Sequence, residues 1–187
     1  MSGHGHVDPS NKRIAMLISV LALVLAISET LGKGAQTTVL NVNIEAANLW
    51  NFFQAKTIRG TVLKTAAEEM EVDLPRVTDP KAKEVMEKRI AEWKKNEARY
   101  QSEPETGEGR KELMARAIAA EKKRDVSLAA YHNFEIASAA VQIAIVLASA
   151  QVITGVVALV WISAGLGLIG LAFCTIGIFW PTAVHLF

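Results

Sequence analysis

The C-terminal stretch from Ile136 to Phe187 contains no aspartate, glutamate, lysine or arginine. A helix needs about 20 apolar residues to cross a bilayer, so this run is too long for one crossing and about right for two. Two crossings require a turn between them, and the dipeptide Thr154-Gly155 is the candidate for it. The sequence therefore predicts a transmembrane helical hairpin, with one span over residues 133–153 and another over residues 157–180.

Another apolar segment lies near the start of the chain, over residues 14–32, directly after Lys12 and Arg13. A secretory signal peptide has the same basic start and apolar centre. No small-x-small cleavage pattern stands out here, and two further spans follow. We interpret the segment as a membrane helix that stays in the protein, preceded by a polar tail of residues 1–13.

The charged residues are concentrated between these apolar ends. Of the 20 lysines and arginines, 18 lie between Lys33 and Arg124, and 17 of the 19 acidic residues lie between Glu45 and Glu135. Their near balance gives no support to a nucleic-acid-binding surface, which requires an excess of basic residues on one face. We expect residues 33–132 to form a charged helical domain outside the bilayer.

Apolar or small residues in the first part of this domain recur at alternating steps of three and four. The steps run from Val39 to Met70, with Lys56 and Gly60 at two of the repeat positions as an apparent defect. This repeat is typical of a coiled-coil-like helix, and no proline separates it from the first membrane helix. The residues predicted to form the stalk interface are Leu49, Trp50, Phe53, Leu63 and Trp93.

Prolines and glycines predict the later boundaries. Pro75 ends the long helix, and Asp79 followed by Pro80 is a favourable helix start. The next helix extends to about Gln101, and the composition of residues 102–109 predicts a loop. From Arg110 no helix breaker occurs before Gly155, so one helix is expected to leave the charged domain and enter the bilayer.

The last span contains glycines in the pattern GxGxxG, at Gly165, Gly167 and Gly170. A dinucleotide site requires these glycines between a strand and the start of a helix, whereas here they lie inside an apolar helix. Small residues allow close helix–helix contact in membranes, so we assign them to packing. The matching small residues of the preceding span are Ala140, Ala144 and Ala148.

No arrangement of residues in the sequence indicates catalysis. His132 and Glu135 have the spacing of a di-iron helix, but no second such pair is evident, so hydrogen bonding at the membrane interface is favoured. Cys174 lies in an apolar run and is expected to act as a small hydrophobic residue. We predict a protein that is not an enzyme and that has no catalytic residue, metal or cofactor.

Three long motifs carry a resemblance to a known family. They are NLWNFFQAKTIR from Asn48, SEPETGEGRKEL from Ser102, and YHNFEIASAAVQIAIVLASAQVITG from Tyr131. Through them, nearly the whole chain resembles the uncharacterised family known as domain of unknown function 4337. The resemblance implies a bacterial inner-membrane protein with one span, a helical insert and two more spans. It implies no activity and no functional residues.

The predicted fold is thus an all-α membrane protein with three transmembrane helices. A long, coiled-coil-like helical insert separates the first and second spans. Lys12 and Arg13 favour a cytoplasmic N-terminus under the positive-inside rule, which makes the insert periplasmic. Basic residues from Arg116 to Arg124 argue for the opposite orientation, but the first span usually dominates.

Two functions fit this pattern. The first is a homo-oligomeric membrane scaffold or accessory subunit, which assembles through the stalk and the small-residue spans and has the lipid bilayer and a possible membrane complex as partners. The alternative is an oligomeric channel or transport component. Its candidate pore residues are Ser138, Gln142, Gln151 and Thr175.

Overall fold

The computed structural model describes residues 9–184, and the described part of the chain is helical with no strand. The four helices are α1 (Pro9–Asp73), α2 (Pro80–Gln101), α3 (Arg110–Thr154) and α4 (Ala158–Phe179). A single 3₁₀ turn, Leu74–Arg76, follows α1. Three of the helices, α1, α3 and α4, are long and apolar enough to cross a membrane.

Helix α1 changes the predicted division of the chain. Its 65 residues run without interruption through the predicted first span and into the predicted insert. Gly32 and Gly34 therefore do not break the helix, as the absence of a proline indicated. The prediction of a helical insert between the first and second spans is corrected in one respect, because the first part of that insert belongs to the same 65-residue helix as the predicted first span.

The short connections follow from side-chain chemistry at the helix ends. The Asp79 carboxylate accepts hydrogen bonds from the backbone N–H groups of Lys81 (3.2 Å) and Ala82 (3.3 Å), and Pro80 occupies the first helical position. These contacts confirm the predicted N-cap, which satisfies donors that have no partner within the helix. At the end of α3, Gly155 adopts a positive φ of 72° and donates its N–H to the carbonyl of Gln151 (2.8 Å). The predicted turn is confirmed at this glycine.

By internal contacts the chain divides into two compact units. The charged unit consists of Asn41–Lys123, and the apolar unit contains the chain up to Leu40 together with Arg124 onwards. Helices α1 and α3 each contribute to both units, because each crosses a unit boundary without a break.

The charged unit has its own hydrophobic core between α1 and α3. On α1 the core residues are Val42, Ala46 and Leu49, and on α3 they are Leu113, Ala117 and Ala120. Trp50 and Phe53 pack against them from the edge with their rings in a T-shaped arrangement, 5.5 Å between centroids. The small residues on both helices allow α1 and α3 to approach closely.

The apolar unit is a bundle of the N-terminal part of α1, the C-terminal part of α3, and α4. One cluster of buried residues contains Leu21, Val141 and Ala144. A second cluster contains Phe134, Ala137 and Cys174. The buried Cys174 thus packs as a small apolar residue within the bundle.

Candidate functional site

The heptad-like repeat of α1 faces the interior of the charged unit. Among its positions Val42, Ala46, Leu49 and Ala67 are buried, and Phe53 and Leu63 are partly buried. We call this row of residues the α1 seam. The predicted interface residues Leu49, Trp50 and Phe53 therefore pack within one chain, and Trp93 of α2 is partly buried.

The two apparent defects in the repeat are both buried in the seam. Lys56 is only 6% exposed, and its ammonium nitrogen lies 5.0 Å from the ring centroid of Tyr100 and 5.4 Å from that of Phe52. Its nitrogen also forms an ion pair with Glu103 Oε2 at 3.6 Å. The desolvation cost of the ammonium group is offset by this carboxylate and the two ring faces.

Gly60 lies beside the same arrangement. A Cβ atom at this position would lie 3.9 Å from the Tyr100 Cβ, which is an ordinary van der Waals contact between α1 and α2. The ring of Tyr100 lies over the Lys56 ammonium group. A lysine and a glycine at seam positions thus form one packing unit with an aromatic residue of α2.

The loop between α2 and α3 is closed by Glu112 in the first turn of α3. Its carboxylate accepts hydrogen bonds from the Ser102 hydroxyl (2.6 Å) and the Glu103 backbone N–H (3.1 Å). The Ser102 bond, then the Glu103 bond, hold the pKa of Glu112 below its ordinary value of 4.5. Gly109 lies against this junction, where a side-chain Cβ would overlap Glu112 and the Ser102 Cα.

Two polar contacts connect the aromatic edge of the charged-unit core to α3. The indole N–H of Trp50 donates a hydrogen bond to Glu121 Oε1 at 2.9 Å. The guanidinium carbon of Arg110 lies 5.3 Å from the centroid of the Phe53 ring. Both contacts fix aromatic side chains that the sequence predicted as interface residues.

The three glycines of the predicted motif lie in different surroundings in the apolar unit. Gly170 is buried, and a Cβ atom there would overlap Val141 and lie 3.0 Å from the carbonyl oxygen of Ala137. At Gly167 a Cβ would meet the tip of Leu21 on α1. At Gly165 it would meet no atom within 4 Å.

On the facing helix, Ala144 and Ala148 are fully buried and Ala140 is partly buried. Ser163 of α4 makes a polar contact with this row, because its buried hydroxyl donates a hydrogen bond to the Ala144 carbonyl at 2.7 Å. Ser163 thus joins Gly170 in the contact of α4 with α3. A hydroxyl that bonds to a backbone carbonyl of a neighbouring helix stabilises contact in an apolar environment.

Asn133 is the buried polar residue at the other end of the apolar unit. Its Nδ2 donates hydrogen bonds to the carbonyls of Ala129 and Pro181, both at 2.9 Å. The contact ties the segment after α4 to α3. Among the described residues, Asn133 Oδ1, Ser28 Oγ and Gln151 Oε1 are buried polar atoms without a hydrogen-bond partner.

The candidate pore residues occupy separate surroundings. Gln142 is exposed, and its Nε2 donates a hydrogen bond to Glu29 Oε1 at 3.2 Å. Gln151 is buried, and Ser138 is partly buried. Thr175 is exposed and donates its hydroxyl to the carbonyl of Leu171 in its own helix. These four side chains therefore differ in their exposure, and the hydrogen bonds of Gln142 and Thr175 lead to different partners.

Among the described residues, no group of three or more histidine, cysteine, aspartate or glutamate side chains could hold a metal ion. His132 Nδ1 lies 3.8 Å from Glu135 Oε2, within one helix turn. An open cleft in the charged unit is lined mainly by opposite charges that compensate one another, including the ion pair of Lys94 with Glu71. The candidate functional features of the described residues are therefore the contacts between helices.

The family model described as a domain of unknown function (DUF4337) matches residues 10–180. The chain belongs to this family. The match covers all four helices except the first residue of α1, so the family corresponds to both units. No curated protein and no solved structure matches the chain.

The sequence did not identify the contacts of residues whose role depends on a neighbouring helix. The burial of Lys56 and Gly60 could have been predicted from their positions, because both lie three or four residues from other seam residues. Ser163 and Gly177, where a Cβ atom would meet the ring of Phe134, also lie seven residues from Gly170, on the same face of α4. The contacts of Glu112 and Gly109 had no such periodic signal.

Proposed function

We propose that this member of the family is a multi-pass membrane protein that acts as a non-enzymatic scaffold or accessory subunit and assembles with further copies of itself. Helices α1, α3 and α4 are the proposed spans, and the charged unit lies outside the bilayer. One observation supports this function most directly: α1 is a single 65-residue helix with residues in both unit cores. A continuous helix of this kind joins the proposed membrane anchor to the charged unit without a loop.

The composition of the two units supports the same assignment. Exposed residues of α4 include Trp161, Leu168, Ile169 and Phe179, which suit contact with lipid. The charged unit instead exposes many ion-pairing side chains, such as Lys88 with Glu84 at 2.6 Å. Such a surface suits water or a protein partner.

The proposed location is a bacterial inner membrane, with the charged unit in the periplasm. The basic pair Lys12 and Arg13 before the first span supports this orientation. Cysteine labelling tests it: a Glu92→Cys variant in a Cys174→Ala background should react with an impermeant maleimide added to intact cells. Reaction only after the membrane is broken would place the charged unit in the cytoplasm.

Membrane insertion and assembly are tested together in native membranes. The chain should remain in the membrane fraction after alkaline carbonate washing, because α1, α3 and α4 would be held by the hydrocarbon core. Amine crosslinking of the same membranes at native abundance should then trap multiples of the chain mass. Extraction by carbonate contradicts insertion, and a product limited to the single chain contradicts self-assembly.

A channel or transport component is the alternative, and the exposed contact of Glu29 with Gln142 favours it. A carboxylate and a carboxamide exposed on the proposed spans would suit a polar surface shared between copies better than lipid. Reconstituted protein should then conduct ions, and Glu29→Gln should change the ion selectivity. Bilayers that contain the oligomer and show no conductance contradict this alternative.

A further inference from the structure

The side of α1 opposite the seam carries a second repeat that the chain leaves uncovered. Its members are spaced by seven residues: Ile44, Asn51, Ile58, Thr65 and Val72. All five are exposed, with Ile44 60%, Ile58 59% and Val72 66% accessible. Positions seven apart drift by only about 20° around a helix, so these residues share one face. We call it the outer face of α1.

The outer face and the seam are distinct surfaces of one helix. Each outer-face residue follows a seam position by two residues, as Ile44 follows Val42 and Ile58 follows Lys56. Two residues correspond to about 200° of rotation in a helix with 3.6 residues per turn. Because the seam is occupied within the charged unit, the outer face is available to another molecule.

We propose that a second copy of this chain docks on the outer face of α1 through its own outer face, with the two helices parallel and in register. The inference rests on the proposed function, because two copies inserted in one membrane with the same orientation present their α1 helices in parallel. It specifies the surface of self-assembly, which the proposed function leaves open.

The residue types support a parallel pair. β-Branched residues at the first core position of a heptad, combined with leucine at the second, favour two-stranded parallel coiled coils. Ile44, Ile58, Thr65 and Val72 supply the β-branched row, whereas the second core position holds the small or polar residues Ala47, Gln54, Thr61 and Glu68. The exposed Ala47 and Ala55 beside them permit close approach of the two backbones. The five outer-face positions carry no charge, and the neighbouring Glu68 is compensated by Lys64, whose Nζ lies 3.8 Å from its Oε1.

Asn51 sets the register of this pair. In a parallel, in-register dimer, each Asn51 meets the same residue of the other copy, and a carboxamide both donates and accepts hydrogen bonds. A shift by one heptad would place Asn51 against Ile44 or Ile58 and leave its polar atoms without partners. A single asparagine at this heptad position is a known means of fixing register and strand number.

The available surface is large enough for a specific contact. The part of α1 between Asn41 and Asp73 is about 50 Å long and about 10–12 Å wide with its side chains. Pairing such faces covers on the order of 500 Å² per copy, or about 1,000 Å² in total, which reaches the lower bound for a specific interface. Contacts between the proposed spans would add to this area.

Disulfide trapping of the full chain in membranes tests the surface. In a Cys174→Ala background, Asn51→Cys places one thiol on the outer face, and Glu45→Cys places one on an exposed flank of α1 at a similar level. A disulfide requires Cα atoms about 4–7 Å apart, so mild oxidation should crosslink Asn51→Cys about tenfold more than Glu45→Cys. The product should have twice the mass of the chain.

The mass of the unmodified protein, measured in lipid nanodiscs, separates the possible results. An oligomer in which Asn51→Cys crosslinks no better than Glu45→Cys overturns the outer-face interface and leaves the scaffold proposal standing. A single-chain mass overturns both. Crosslinks of Asn51→Cys only to a different protein also overturn the paired outer face. Circular dichroism of both variants should match the parent, because both positions are exposed.

Discussion

Lys56 is a buried cation whose neighbours make its position in a hydrophobic seam tolerable. The ion pair with Glu103 supplies a full negative charge, while Phe52 and Tyr100 supply ring faces. Removing one member of a buried ion pair usually destabilises a protein more than replacing both members by apolar residues, because the remaining charge stays desolvated.

We therefore expect Glu103→Gln to lower the unfolding free energy of the charged unit by about 2 kcal/mol, because Glu103 is partly exposed and the loss falls below that of a fully buried pair. Lys56→Met in the same background should restore part of this loss. Thermal unfolding followed by circular dichroism measures both. Equal stability of the parent and Glu103→Gln would show that the ring faces alone stabilise the ammonium group.

Glu112 gives the charged unit a defined response to acid. Its pKa is lowered first by the Ser102 hydroxyl and then by the Glu103 backbone N–H. A carboxylate with a folded-state pKa below its unfolded value contributes stability above the unfolded pKa, and this contribution disappears as pH falls through the folded pKa.

The unfolding midpoint of the parent should thus decline as pH falls below the ordinary glutamate value of 4.5 and through the lowered pKa of Glu112. Glu112→Gln removes this contribution, so its decline over the same range should be smaller. Unfolding midpoints from neutral pH to about pH 3 provide the comparison. Parallel curves for the two proteins would contradict the role of Glu112.

In helix α4, the glycines of the GxGxxG pattern differ in how closely a neighbouring helix packs against them. A Cβ at Gly170 would overlap Val141, whereas a Cβ at Gly165 would enter open space. Overpacking a well-filled contact costs about 1–3 kcal/mol, while replacing an unconstrained helical glycine by alanine usually adds about 0.5–1 kcal/mol of helix stability.

Gly170→Ala should therefore lower the thermal midpoint of the apolar unit, and Gly165→Ala in the same helix should leave it unchanged or raise it. Unfolding in detergent micelles, followed by the loss of helical circular dichroism, measures the difference. A similar loss in both variants would indicate that Gly165 is also covered, for instance by another copy of α4.

The helices themselves were largely predictable, because their ends depend on local chemistry. Asp79, Pro80 and Gly155 mark boundaries through capping and backbone preference, and the structure has helix ends at all three. The partner of a helix face is a different problem. The seam repeat fits a neighbour from the same chain as well as one from another, and only the packed structure assigns its first part to α3 and its Lys56 and Gly60 positions to α2.

At the scale of the whole molecule, each unit has a core of its own. Leu113 is fully buried in the charged unit, where it packs with Leu49 and Ala117. Truncating a buried leucine to alanine costs about 2–5 kcal/mol. The loss should be confined to the unit whose core contains the cavity.

In Leu113→Ala, amide hydrogen exchange should accelerate over residues 41–73 and 110–123, and it should stay unchanged over residues 134–152 and 160–178. Mass spectrometry of peptides from the intact protein resolves these segments. A uniform acceleration along the chain would mean that the two cores unfold as one cooperative body.

The unbroken course of α1 restricts how chains of this family can differ in length. One residue inserted after Ala46 would rotate every later position of the helix by about 100° relative to the earlier ones. Leu49 would then no longer face the core of the charged unit together with Val42 and Ala46. An insertion of seven residues, or about two helical turns, rotates the later side chains by only about 20°. We therefore expect insertions and deletions in this helix to occur in multiples of seven residues.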